Sequence, residues 1–401
     1  MITRTRRSVR LALLAGLVTV AVACGSNPTG PTVVPSTSAP SASAAAGSPS
    51  PSTASIAPSA SIVVPSASAE AGWTEVWPQP TDGAAHLTTA TVTVGGFVVA
   101  GSDAAGTAPV AISSGDGAIW ITERIPGGRR TPNALARWGE RVLATGVGEA
   151  PCAHPYGLDT WVREATGTWT EAPFDPLLCD AASVEAATVG DVAVLAGSGP
   201  GDNPIVWSSP DGLRWTDHGD VFAGLLPGGV VGDGAQAWVL ATGSGATWIA
   251  HTEDGVTWTP PERIHDIPEV EIRGTFLIGD HAVIVATVGG SVGTIDPGTG
   301  GGWVITPATG LQPETLASVS QFDGGLLATG TQPGGAALAW VSEDGIAWRS
   351  VALPGALASP DSSVAAVAVR GERAILVGSV AAGGGSAASR IWTGPASLVL
   401  P

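Results

Sequence analysis

Lysine is absent from this 401-residue chain, and all 17 of its basic residues are arginines, set against 34 acidic ones. Arg4, Arg6, Arg7 and Arg10 precede the first acidic residue, Glu70, and setting them aside leaves 13 − 34 = −21. A field of that sign repels nucleic acid and anionic headgroups, which excludes nucleic-acid binding as a function class. Charged residues make up only 13% of the chain, and stretches rich in Glu and Arg at helical spacing are missing. That poverty argues against a helical architecture. Cys152-x-His154 has no second close ligand pair, and His86, His218, His251, His265 and His281 are dispersed, so no metal site is expected. No Gly-rich loop leads into a helix and no EF-hand-like loop occurs, so no cofactor is expected either.

What is present begins with an address. The arginines at 4–10 precede an uncharged run, Leu11 to Ala23, of signal-peptide length and too short to span a membrane as an ordinary helix, so 1–23 reads as an export signal. Its end, Ala21-Val22-Ala23-Cys24-Gly25, resembles the lipobox of bacterial lipoproteins, with Ala21 standing where Leu is usual. The resemblance implies acylation of Cys24 and a lipid anchor at the outer face of a bacterial cytoplasmic membrane. Arg6-Arg7 resembles a twin-arginine export motif, which leaves two routes open. Residues 24–70 carry the lipidation site and a Ser/Pro/Ala/Thr-rich stretch with no charge before Glu70. Such a stretch buries too little apolar surface to offset its ordering entropy and reads as a disordered tether, reaching roughly 35 to 140 Å.

From residue 71 to 401 the chain is built on a repeat. Ser/Thr-x-Asp-Gly-x-x-Trp occurs four times, as Ser114, Asp116, Gly117 and Trp120; Ser209, Asp211, Gly212 and Trp215; Thr252, Asp254, Gly255 and Trp258; and Ser342, Asp344, Gly345 and Trp348. With Trp169 and Trp303 in degenerate copies, the tryptophans recur every 43 to 49 residues and count six units. A seventh is supplied in two pieces. Ile391-Trp392-Thr393-Gly394-Pro395 matches the strand Val206-Trp207-Ser208-Ser209-Pro210 that enters a motif, and Gly72-Trp73-Thr74-Glu75 matches Gly167-Thr168-Trp169-Thr170-Glu171, which leaves one. Apolar runs flanking Gly95-Gly96, Gly190-Asp191 and 370–373 read as hairpins. Together these predict an all-β, seven-bladed β-propeller of four-stranded antiparallel blades, the last closed by the N-terminal strand, a closure that removes the sticky edges of an open β-structure.

The motif's chemistry is that of a turn: Gly tolerates positive φ, and the short carboxylate and hydroxyl accept backbone N–H bonds. Repeated over nearly the whole folded region, it resembles the Asp-box or BNR repeat of β-propellers, although that family's box usually has one more residue between Asp and Gly. The resemblance implies a structural motif on the outer rim, away from the ligand face, so the four aspartates are not expected to be catalytic. Some Asp-box propellers are sialidases, whose chemistry needs an arginine cluster and a Tyr nucleophile. Here the family's Phe/Tyr-Arg-Ile-Pro segment is absent, Arg124-Ile125-Pro126 follows a motif Trp, and Tyr156 is the one Tyr.

Because successive strands reverse, the loops between second and third strands share a face with the inter-blade loops, opposite the motif turns. Cys152 and Cys179 both fall on that face in adjacent segments, and export supplies an oxidising compartment, so a Cys152–Cys179 disulfide is expected. The same face gathers Glu149, His154, Tyr156 and Asp159 in an insert bracketed by the cysteines, with Arg129, Arg130 and Asn133 before it and Glu262, Arg263, His265, Asp266 and Glu269 between units four and five. Arg129, Arg130, His154, Tyr156, Asp159, Arg263, His265 and Asp266 are the candidate ligand contacts. The resulting expectation is a lipid-anchored, monomeric extracytoplasmic propeller that serves as a protein-binding or assembly scaffold. A carbohydrate-binding module is one alternative, and a sialidase-like glycoside hydrolase is the enzymatic one.

Overall fold

The computed structural model describes residues 72–77 and 85–400, apart from 128–129, 150–155, 180, 182, 200–203, 233, 266–269, 279–280, 289–290, 298–302, 312–314, 323–324, 333–334 and 383–385. The expectations for Cys24, Arg129, Cys152, His154 and Asp266 lie outside these residues, as do the signal and the tether.

The described chain forms seven four-stranded antiparallel sheets, set as blades around an axis. Blade 1 runs outward from the innermost strand His86–Thr93 through Gly96–Ser102 and Pro109–Ser114 to the outermost Ile121–Arg124. Blades 2 to 6 repeat this order, with innermost strands that start at Ala134, Ser183, Leu226, Val270 and Leu316. The innermost strands neighbour one another in sequence order, and that of blade 7, Ser363–Arg370, lies beside that of blade 1. Second strands are buried through their middle, and Gly96–Ser102 is buried along its whole length. Each is covered on both faces by neighbouring blades, which is why it reads as an unbroken apolar run instead of an alternating one.

Blade 7 takes its outermost strand from the other end of the chain. Thr74–Trp77 pairs antiparallel with Ser386–Pro395, Thr74 opposite Thr393 and Glu75 opposite Trp392. Arg390 Nη1 donates to both Glu75 carboxylate oxygens, at 2.6 and 2.8 Å. On its other side the blade is tied to blade 1, with Arg370 donating to the Gly115 and Val94 carbonyls at 2.8 and 2.6 Å and Arg373 to the Asp116 carbonyl at 2.6 Å.

The four repeated turns are built alike. In blade 3 the Ser209 hydroxyl accepts the Gly212 N–H at 2.8 Å and donates to Asp211 at 3.1 Å, while the same carboxylate oxygen accepts the N–H groups of Leu213 and Arg214 at 2.8 and 2.9 Å. The other three turns repeat this set. These donors hold the aspartate pKa values below the usual range, led at Asp116 by the Ala118 N–H and at Asp254 by that of Thr257. At Asp211 burial opposes the shift, and the N–H groups of Leu213 and Arg214 outweigh it.

The turn glycines sit at φ between 71° and 74°, where a side chain is strained, and a Cβ on Gly212 would lie 2.5 Å from Val162 of the preceding blade. The turns therefore touch their neighbours. Thr160 of blade 2 donates to the Gly212 carbonyl at 3.1 Å, and Thr294 of blade 5 to that of Gly345 at 2.6 Å.

Each motif tryptophan wedges between two blades. Trp120 packs with Ile375 and Val377 of blade 7, Trp215 with Trp138, Leu143 and Val162 of blade 2, and Trp348 with Val285 and Val292 of blade 5. The degenerate copy at Trp169 does the same work, packing with Val98 and Ala111 of blade 1. Trp73 fills the position in blade 7, against Leu327 and Val341 of blade 6, and its Nε1 donates to the Ala352 carbonyl at 2.8 Å.

Trp73 is 1% exposed. Trp73→Ala is expected to cost about 3–5 kcal/mol by denaturant unfolding, the range for emptying a buried Trp site. Asp211→Ala removes the acceptor of three hydrogen bonds and is expected to cost about 1–3 kcal/mol in the same measurement. Because the depressed aspartate pKa contributes stability above its unfolded value and loses it on acidification, the difference between Asp211→Ala and the native chain should shrink below about pH 4.

Candidate functional site

The innermost strands enclose an axial channel of about 570 Å³, within the size range of small-molecule sites. Its described wall is dominated by Ala, Val, Thr and Ser, with Asn133 and Gln321 adding amides. Glu185 of blade 3 and Arg137 of blade 2 are the charged residues of that described wall. Five innermost strands carry a register shift close to where they begin, between Leu87 and Thr89, Pro227 and Gly229, Ile272 and Gly274, Leu316 and Ser318, and Val364 and Ala366. In blade 3 the register is regular, and Glu185 stands opposite Ala196 with its side chain exposed to the channel.

Glu185 is the third residue of Ser183–Val189, a strand that begins at the face of the inter-blade loops, so it stands near that mouth of the channel. Its carboxylate accepts the Val230 N–H at 3.3 Å. Confinement by the ring pushes its pKa from 4.5 up to about 7, with the Val230 N–H acting the other way. Water reaches the side chain through the channel, so the shift reflects the surrounding wall and is not that of a carboxyl sealed in a core.

Three other carboxylates in the blades, Glu75, Glu123 and Asp159, are matched by arginine. Glu123 in the outermost strand of blade 1 takes Arg163 Nε and Nη2 at 2.7 and 2.5 Å, the Trp169 indole at 2.7 Å and the Ser113 hydroxyl at 2.5 Å. Burial opposes ionisation there, and these donors outweigh it, so the Glu123 pKa is lowered. This buried set fastens blade 1 to blade 2.

The loop face departs from the expected arrangement in three respects. Tyr156 and Asp159 are not in a loop insert: the second and third strands of blade 2 run on as a long hairpin, pairing Gly146 with Asp159 and Glu149 with Tyr156. Continued strand pairing satisfies the backbone that a loop would leave to water. Arg263 and His265 likewise belong to the outermost strand of blade 4, Glu262–His265, opposite Trp248 and Thr247. Arg130 is not a free loop cation. It is buried and ion-paired with Asp159, which joins two of the eight candidates to each other. Burial raises the Asp159 pKa against the pull of Arg130, and the Glu171 pKa is raised by burial and by Asp159.

Sequence reasoning missed Glu185 and the segment 172–178. Glu185 was signalled by an isolated acid within a short run of Val, Ala and Thr. The segment displays Phe174 and Leu177, 56% and 44% exposed. It is pinned along its length: Ala172 N–H donates to the Thr160 carbonyl at 2.9 Å, Leu177 N–H to the Asp175 carboxylate at 3.0 Å, and Leu178 N–H to the Asp175 carbonyl at 3.0 Å. Leu178 is buried between blades 2 and 3, and Cys179 forms a backbone bridge with Gly157 of the long hairpin. Arg124 stands on the outermost strand of blade 1, away from the axis.

No protein-family model matches the chain, and neither does any curated protein. Among solved structures it is similar to the β-propeller domain of the trilobed protease from Pyrococcus furiosus, at 9% identity over 78% of this chain and 94% of that one, with a TM-score of 0.49. It is also similar to the Trypanosoma rangeli sialidase, at 10% identity over 80% of this chain and 56% of that one, with a TM-score of 0.41. A third likeness is to the Aleuria aurantia lectin in complex with a fucosylated sugar, at 16% identity over 55% and 78%, with a TM-score of 0.36. At these identities the likeness is one of fold and does not extend to activity.

The raised pKa of Glu185 makes a signed prediction. Below the unfolded value of about 4.5 the group is neutral in both states; between there and about pH 7 the folded chain holds a proton that the unfolded chain has lost, and stability falls as pH rises. Thermal melts of Glu185→Gln and the native chain should therefore coincide at pH 4, with the variant the more stable at pH 8.

Proposed function

We propose that the protein is a binding module, an Asp-box propeller held outside the cytoplasmic membrane through lipidated Cys24, which presents its loop face to a protein partner. The observation that carries this reading is the segment 172–178. Two large apolar side chains, Phe174 and Leu177, are displayed to solvent by backbone fixed at several points. Exposed apolar groups on a pre-organised loop suit an interface, because little ordering entropy is lost when a partner covers them. A Cys152–Cys179 disulfide fits the same surface: Gly157, which bridges Cys179, lies five residues beyond Cys152.

The channel wall supports protein binding over the alternatives. A sugar pocket calls for stacked aromatic rings and a sialidase centre for clustered arginines, whereas the described wall is mainly Ala, Thr and Val, its two aromatic residues, Phe276 and Phe322, are buried in the packing between blades, and Arg137 is its one arginine. The long-hairpin face of blade 2, with Arg130 neutralised by Asp159, adds a rigid neighbour to the apolar pair.

A photo-crosslinking residue placed at position 174 in the producing cell should yield a discrete protein adduct, and one at Val256, exposed in a motif turn on the opposite face, should not. Equal adducts at both positions, or none at either, would overturn the reading, as would hydrolysis of a fluorogenic sialoside by the purified protein.

A further inference from the structure

We propose that the axial channel is a binding site for a primary ammonium group, seated on the carboxylate of Glu185 and on the hydroxyls and free strand edges around it. The site is distinct from the Phe174 surface and does not depend on it.

The first ground is a charge with nothing to meet it. Glu75, Glu123 and Asp159 each face an arginine, whereas Glu185 has a single N–H donor at 3.3 Å and no ion pair among the described residues. The group is also open to the channel, so a ligand can reach it.

The wall supplies a second ground. Innermost strands are paired on one side only, so their other edges turn backbone N–H and carbonyl groups toward the axis. The Val230 N–H that bonds Glu185 is such an edge group. Thr89, Thr91, Thr188, Ser318 and Ser320 add hydroxyls to the same wall. An ammonium has three donors and no acceptor, and one carboxylate with several neutral oxygens matches it. A divalent metal fits less well, since no group of three or more His, Cys, Asp and Glu side chains occurs among the described residues.

The third ground is the composition of the chain. With no lysine anywhere, it has no side-chain ammonium of its own to offer, and Arg137, the one arginine of the described wall, bonds the Gly139 carbonyl and not Glu185, while a balance of −21 outside the N-terminal arginines draws cations toward the protein. About two residues, or about 7 Å of strand, separate Glu185 from the start of its strand at the loop face, so a ligand entering from that face meets it early.

Two sources supply this chemistry, a free amine and the lysine side chain of a peptide, and the test separates them. Putrescine and a capped glycyl-lysyl-glycine peptide are titrated into the full-length protein at pH 8, with 13C NMR of the glutamate side-chain carboxyls and calorimetry as readouts. At least one probe is expected to bind and to shift the Glu185 signal; putrescine alone assigns a free amine, and the peptide assigns a partner's lysine. Glu185→Gln should weaken binding about tenfold, as expected for loss of one charge-assisted bond, and Glu164→Gln on a distant exposed turn should leave it unchanged. No shift of the Glu185 signal with either probe at millimolar concentration would overturn the proposal. So would a Glu185→Gln variant that binds as tightly as the native chain. The NMR arm uses the native protein and stands even if the variant fails to fold.

Discussion

The rest of the structure depends on tryptophans wedged between blades, at six of the seven boundaries among the described residues, four of them set by a turn whose own bonds are local. The Ser/Thr hydroxyl and Asp carboxylate satisfy the turn's backbone, so the turn forms without help from its neighbours, and its glycine leaves room for the preceding blade to close in. Trp120, Trp215 and Trp348 then fill the gap, and threonines of the preceding blade at two boundaries add a hydrogen bond to the glycine carbonyl. A single blade buries one face at best, and stacking in a ring buries both. The last boundary needs a strand from the far end of the chain, which makes Trp73 and Thr74–Trp77 the closing piece.

Ring closure is also what creates the channel. Seven twisted sheets packed by bulky residues at the rim cannot meet at the axis, and the innermost strands carry small or hydroxylated residues there, which leaves a lined space. In five blades the strand absorbs an extra residue near its start, which changes local side-chain direction, while blade 3 stays regular and presents Glu185. The electrostatics of that carboxyl belong to the assembly. Its neighbours in sequence are Val184 and Ala186, and the donor nearest to it, Val230, belongs to the next blade.

The motif spacing made the blade count, the strand order and the split seventh blade legible, because a 43 to 49 residue period leaves few ways to arrange four short strands and a turn. The candidate site was legible in far smaller part. Tyr156 and Asp159 read as part of an insert because the cysteines bracket them, and Gly146 and Gly148 hide the continuation of the hairpin. Arg263 and His265 read as loop because the strand that carries them is short and polar, with Glu262 and Arg263 exposed at the rim. Arg130 looked like a free cation because its partner stands 29 residues on.

The sequence by itself determined the all-β repeat, the chemistry of each turn and the pairing of the two ends, since these depend on contacts within a few residues or on a periodic pattern. Only the tertiary structure decided which polar residues are free. Arg130 is consumed by Asp159, Glu123 by Arg163, and Glu185 is left facing a channel that exists in no single blade. Whether a charge is neutralised depends on which strands the ring brings together, and residues 29 to 45 positions apart in the chain carry no local mark of that meeting.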